Sequence, residues 1–80
     1  MEKSEVLEKV NEVFIDILDN KNIILSDETS AGDIEEWDSL NHIQLVVAIE
    51  RKFGIRFTSR QIQGWTKVGE MIDAIRSKVN

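Results

Sequence analysis

The chain reads as an all-α protein: a small four-helix bundle of three main helices and one short one, with a long first loop. Three observations predict this. Apolar residues recur every three to four positions in three separate segments, as on amphipathic helices. The one alternating stretch, Ile55-Arg56-Phe57, is only three residues long and has no partner run with which to build a sheet. No proline interrupts any segment.

Residues 4–19 form the first helix, with Val6, Leu7, Val10, Val13, Phe14, Ile17 and Leu18 along one face. Ser4 is its expected N-cap, and Glu5 and Glu8 suit the positive end of the helix dipole. Asp19-Asn20-Lys21-Asn22 ends it with residues that favour turns. Residues 20–37 make a connection unusually long for so small a domain. Ile23, Ile24, Leu25, Ile34 and Trp37 are scattered through it, so the loop is expected to pack back on the core.

The second helix spans 38–53. Asp38 is its N-cap, and Gly54 stands where a helix-ending glycine belongs. Thr58 or Ser59 then caps one short turn through Ile62, ended by Gly64. Thr66 caps a last helix in which Val68, Met71, Ile72, Ile75 and Val79 keep the helical spacing, with Arg76 and Lys78 at its C-terminal end. Packed around one core, these helices should bury Ile17, Leu18, Leu45, Ile49, Phe53, Ile72 and Ile75.

Composition removes several function classes. Eighty residues, 41% of them apolar, suffice for a single domain over 1–80. Cysteine is absent, which excludes disulfides, thiolate metal sites and a thiol nucleophile from the chain itself. A single histidine excludes a His-rich metal centre. The net charge of −5 argues against a partner recognised by neutralising phosphates, so no nucleic acid is expected. The longest apolar run, Leu45 to Ile49, is far short of a membrane span, and the acidic start is unlike a signal peptide. A soluble, cytoplasmic monomer is expected. The charge is also uneven: residues 1–37 hold eleven acids and three bases, residues 38–80 four acids and seven bases.

The second helix has more apolar surface than a core requires. At about 100° per residue, His42, Leu45, Val46, Ile49 and Phe53 share one arc, and Leu40, Ile43 and Val47 form another beside it. One such stripe is enough to pack a helix. The second is expected to stay partly exposed and meet partner proteins, with Gln44, Glu50 and Arg51 at its rim.

Ser39 lies in the first turn of that helix, where backbone N–H groups have no intrahelical partner and an attached anion is stabilised. Nothing activates it. His42 points toward the core arc and reads as a packed or capping side chain, so a Ser–His–acid triad is not expected. Ser39 is then a substrate for modification rather than a nucleophile with its own base.

The string Asp38-Ser39-Leu40, followed at family-typical offsets by Val46, Ala48, Ile49, Glu50, Phe53, Gly54 and the Ile55–Phe57 segment, resembles the acyl carrier proteins and the related peptidyl carrier domains over essentially the whole chain. The resemblance implies that Ser39, flanked by Asp38 and Leu40, is esterified by a 4′-phosphopantetheine arm taken from coenzyme A. A separate phosphopantetheinyl transferase does this with Mg²⁺. The arm's thiol would hold an acyl cargo as a thioester for loading and transfer enzymes, and the protein itself would catalyse nothing. Cargo sheathed by the bundle would be lined by Val46, Phe53, Ile62 and Trp65.

Two departures from the family pattern stand out. Many members have Gly two residues before the Asp, where this chain has Glu36 and then Trp37. Carriers of fatty-acid synthesis usually have a strongly acidic second helix. Here Asp38 and Glu50 are offset by Arg51 and Lys52, and the acids lie upstream at Asp33, Glu35 and Glu36. A dedicated lipid, polyketide or saccharide-acylation pathway is therefore expected. An aminoacyl or peptidyl carrier using the same Ser39, and an unmodified helical adaptor, remain the alternatives.

Overall fold

The computed structural model describes residues 2–79. It contains α1 (Lys3–Leu18), α2 (Ser39–Phe53), α3 (Ser59–Gly64) and α4 (Val68–Val79), with a 3₁₀ turn at Ala31–Asp33 inside the first loop. No strand occurs among the described residues. α1 packs against both α2 and α4. The core between them is Val6, Val10, Phe14, Leu45, Ile49, Val68, Met71, Ile72 and Ile75, all fully buried. Leu18 is buried at its edge, whereas Ile17 and Phe53 are half-buried and pack on the cluster from outside it.

The caps differ from expectation at two places. Glu2, not Ser4, holds the N-cap position of α1, without a side-chain cap, and Ser4 is an exposed first-turn residue. The apolar pattern begins only at Val6, so nothing in it revealed a helix starting three residues earlier. At the other end Asp19 adopts the left-handed conformation (φ 52°), which a short polar side chain tolerates. Thr66 does not accept a bond from α4. Its hydroxyl donates to Glu70 Oε1, which also accepts the N–H groups of Thr66 and Lys67. The acid thus reaches back from inside the helix. These bonds, with the Thr66 hydroxyl foremost, hold the Glu70 carboxyl below the usual carboxylate range. Its contribution is present at neutral pH and is lost as pH falls through that lowered value.

The first loop is bound to three helices. Asn11 of α1 donates to Ile23 C=O (3.1 Å) and accepts the Leu25 N–H (2.7 Å). Ile23 and Leu25 are buried, but Ile24 between them is 88% exposed, because extended backbone sends neighbouring side chains to opposite sides. Farther on, the first N–H groups of α4 donate to the loop: Val68 N–H to Thr29 C=O (2.8 Å) and Gly69 N–H to Asp27 C=O (3.0 Å). Helix-start amides need outside acceptors, and here a loop supplies them. Gly69 is required by this approach, since a Cβ there would sit 3.0 Å from Asp27 O.

Past α2, Gly54 takes the left-handed conformation (φ 67°). Glu50 holds the next segment: its carbonyl accepts the Ile55 N–H (3.0 Å) and its carboxylate the Phe57 N–H (2.8 Å). Ile55 and Phe57 face inward and Arg56 outward, so the alternation read from sequence is real although no sheet forms. Thr58, rather than Ser59, caps α3, in a reciprocal box with Gln61.

Two stability outcomes follow from this packing. Ile49→Ala should cost about 2–5 kcal/mol, close to the whole stability of so small a domain, read as a lowered denaturant midpoint. Gly69→Ala should lower the midpoint by about 1 kcal/mol equivalent, because crowding against Asp27 outweighs the better helix propensity of alanine. Gly64→Ala, with open space around it, is the control and should not lower stability; equal effects at the two glycines would refute the close approach.

Candidate functional site at the start of α2

The approach to α2 is tied down residue by residue. Trp37 N–H donates to Ile34 C=O (3.1 Å) and Asp38 N–H to Glu36 C=O (3.1 Å). Glu36 is also held from two sides: its carbonyl accepts Asn41 Nδ2 (2.8 Å), and its carboxylate accepts Asn20 Nδ2 (3.1 Å). Asp38 is extended (φ −106°, ψ −177°), and its Oδ1 accepts the Asn41 N–H (2.8 Å), as an N-cap should. Ser39 is the first helical residue and is exposed. With the Asn41 N–H occupied by the cap, the N–H groups of Ser39 and Leu40 remain without intrahelical acceptors.

Trp37 is the anchor, 8% exposed. Its ring meets Phe14 of α1 edge-on (centroids 4.9 Å apart). Its indole N–H donates to His42 Nδ1 (3.0 Å). An indole N–H can only donate, so Nδ1 accepts and the ring proton sits on Nε2. Nε2 then donates toward the Ile62 carbonyl in α3 (3.4 Å). His42 therefore links the loop, α2 and α3. Both of its nitrogens are engaged, leaving no base for Ser39 within this arrangement. Trp65 closes the far side, edge-on to His42 (6.4 Å) and to Phe57 (4.8 Å).

An open cleft of about 500 Å³ runs beside Ser39, lined by Trp37, Asp38, Ser39, His42, Ile62 and Trp65 among others. Of the four residues expected to line a cargo space, Ile62 and Trp65 border it. Val46 is buried elsewhere and Phe53 lies at the opposite end of α2. A hollow of about 560 Å³ in the first loop, between Asn22, Glu28, Asp33 and Glu35, does not include Ser39.

The surplus stripe of α2 is exposed as expected: Leu40 68%, Ile43 61% and Val47 41%. Gln44 and Arg51 flank it in solvent. Glu50 differs from its expected rim position. It is half-buried, with its carboxylate on the Phe57 N–H. A groove beside Val47, Arg51, Ile55 and Arg56 continues the stripe toward the C-terminal end of α2. Sequence reasoning missed Asn11, Asn20 and Asn41, whose side chains hold the loop. It also missed the Trp37–His42 bond, for which the available signal was a tryptophan that needs a buried acceptor.

The phosphopantetheine attachment site family matches residues 8–75. An acyl carrier protein of Thermosynechococcus vestitus is 30% identical over 79 residues, covering 99% of this chain and 98% of that protein. An acyl carrier protein of Acidothermus cellulolyticus is 29% identical over 75 residues, covering 94% of this chain and 89% of that one. The solution structure of a holo acyl carrier protein from Geobacter metallireducens superposes with a TM-score of 0.87 at 35% identity, over 92% of this chain and 85% of that one. Sequence along nearly the full length and helix arrangement thus agree: the chain belongs to the acyl carrier protein family, whose members are carriers of covalent 4′-phosphopantetheine and not enzymes.

Proposed function

We propose that Ser39 is the attachment point of the 4′-phosphopantetheine arm and that the chain carries acyl groups for a dedicated lipid, polyketide or saccharide-acylation pathway in the cytoplasm. The observation that supports it is local. Ser39 alone among the serines combines an exposed first-turn position, an adjacent capping carboxylate, a cleft alongside and an exposed apolar stripe one turn away. The residues present fit the group: two helix-start N–H groups without intrahelical acceptors suit a phosphodiester. When bound, the arm supplies the thiol that the chain lacks, on which cargo is held as a thioester.

In the loading step Ser39 Oγ forms a bond to the phosphorus next to the pantetheine of coenzyme A. The pyrophosphate P–O bond breaks and adenosine 3′,5′-bisphosphate leaves with the electron pair. His42 is engaged on both nitrogens and Asp38 caps the helix, so the hydroxyl proton goes to a base on the transferase. Asp38 keeps Oδ2 free of the cap bond and can face the transferase's Mg²⁺. Leu40, Ile43 and Val47 form the docking face for the transferase and for acyl-loading and acyl-transfer enzymes, with Gln44 and Arg51 at the rim. The dedicated pathway is supported by the charge of α2, where Glu50 turns inward and Arg51 and Lys52 are exposed.

With coenzyme A, Mg²⁺ and a broad-specificity transferase, the wild-type chain should gain one phosphopantetheine by intact mass. Ser39→Ala should gain none while keeping its helical circular dichroism, because Asp38 supplies the cap. A modified Ser39→Ala would sink the assignment, and a wild type that never gains mass would favour the unmodified adaptor. Ile43→Asp should stay folded and be loaded at least about fivefold more slowly, as for a central interface residue. Loading of the folded variant at the wild-type rate would remove Ile43 from the docking face.

A further inference from the structure

We infer that this carrier holds its cargo outside the helical bundle, in the cleft beside Ser39, and that the cargo is accordingly a short or polar acyl group. His42 is the positioning residue that keeps the bundle shut. The inference rests on the assignment of Ser39 as the attachment point.

Three features of the structure point to it. The interior is full: Leu45 and Ile49 of α2 and Met71, Ile72 and Ile75 of α4 are all 0% exposed, so an alkyl chain enters only by parting helices. Parting α2 from α3 next to Ser39 breaks the hydrogen bond from His42 to the Ile62 carbonyl (3.4 Å), and His42 cannot swing to follow α3 because the Trp37 indole holds its Nδ1 (3.0 Å). These groups are part-buried, where lost bonds are poorly replaced by water. Finally, the rings of Trp37, His42 and Trp65 form a continuous series, with centroids 6.0 and 6.4 Å apart, between the Ser39 cleft and the core.

The cleft itself has the opposite character. It is open, about 500 Å³, and its lining is mixed. Ile62 and Trp65 offer apolar surface, while Asp38, Gln63 and Thr66 offer polar groups. A group of few carbons, or one with polar substituents, is covered by Trp65 and meets polar partners at the rim. A long alkyl chain lying there leaves its tail in water.

The test compares the thiol form with butyryl and dodecanoyl forms, prepared from the corresponding coenzyme A thioesters and checked for single loading by intact mass. Methyl-labelled protein reports on the interior and the indole N–H on Trp65. In both acyl forms the methyl resonances of Leu45, Ile49, Met71 and Ile75 should match the thiol form, while Ile62 and Trp65 shift. Hydroxylamine should cleave both thioesters at rates within about twofold, as for two equally exposed populations. Shifted core methyls in the dodecanoyl form, or protection of that thioester, overturn the inference. Unmoved Ile62 and Trp65 also overturn it, because the cleft is then empty.

His42→Ala should open the interior, so that dodecanoyl cargo now shifts the core methyls and is cleaved at least about fivefold more slowly than butyryl. His42→Asn, with one acceptor and one donor, should restore the wild-type response. A purely structural His42 would lower stability without creating any dependence on chain length. If His42→Ala does not fold, the wild type and His42→Asn still decide the matter. Absence of the mass gain removes the Ser39 assignment and this inference together, whereas full loading with shifted core methyls removes the inference alone.

Discussion

Trp37 has one proton to donate and gives it to His42, and the geometry around Ser39 depends on that bond. The indole lies between α1 and the start of α2, with Phe14 against its ring and little of it in solvent. A buried indole N–H without an acceptor costs on the order of 1–3 kcal/mol, so the ring has one comfortable orientation. That orientation fixes the backbone at residue 37. Asp38 follows in the extended conformation that lets it cap, and Ser39 follows as the first helical residue. The same bond fixes which nitrogen of His42 is protonated, and the other end of that imidazole reaches α3. One tryptophan thus places Ser39 and the neighbouring helix together, in a loop without a glycine at residue 36 to ease its path.

The first loop shows how a long irregular segment is held in a protein this small. Its backbone groups need partners, and they find them in side chains and helix ends rather than in a ladder. Asn11 uses both ends of its amide on the loop, Asn20 and Asn41 converge on Glu36, and the first amides of α4 take two carbonyls. Each bond is individually modest, about 1 kcal/mol net. Together with burial of Ile23, Leu25 and Trp37 they make the loop part of the core structure. The exposed ion pairs Lys3–Asp27 and Lys67–Glu28 lie beside the same loop and add little by comparison.

Much of the fold was legible in the sequence, because helices in a small bundle must show their core face as a period. The residues of α4 did so without a gap, and the two stripes of α2 separated into an exposed set and a set turned inward, buried at Leu45, Val46 and Ile49 and half-buried at His42 and Phe53. Asp38 and Gly54 were legible for a similar reason, since each acts within its own turn. What stayed hidden was interaction across the chain. Glu50 looked like a rim charge because helical angle says nothing of a loop that returns to meet it. Ile24 looked like core because an apolar residue in a loop carries no period. Thr66 looked like a cap because its type suits one, while the reverse arrangement with Glu70 depends on a side chain reaching back toward the helix start. At the start of α2, the exposed first-turn position of Ser39 was legible because it follows from the Asp38 cap one residue earlier. The cleft was not, because it is formed by residues 37 to 42 meeting 62 to 66, and only the folded chain brings them together.

The charges along α2 have a consequence for encounter. Asp33, Glu35, Glu36 and Asp38 gather at its start, and Arg51, Lys52 and Arg56 at its end, about 20 Å away along the axis. Their signs offset the helix macrodipole, which is positive at the start and negative at the end. A phosphodiester on Ser39 would add negative charge to the end that is already negative. The exposed stripe is then polarised along its length, like a short bar with two poles. Such a surface is turned by a partner's field before the two touch, within a screening distance of about 8 Å at physiological salt. A cationic entrance draws the Ser39 end first and repels the Arg51 end, so the helix arrives with its direction already chosen.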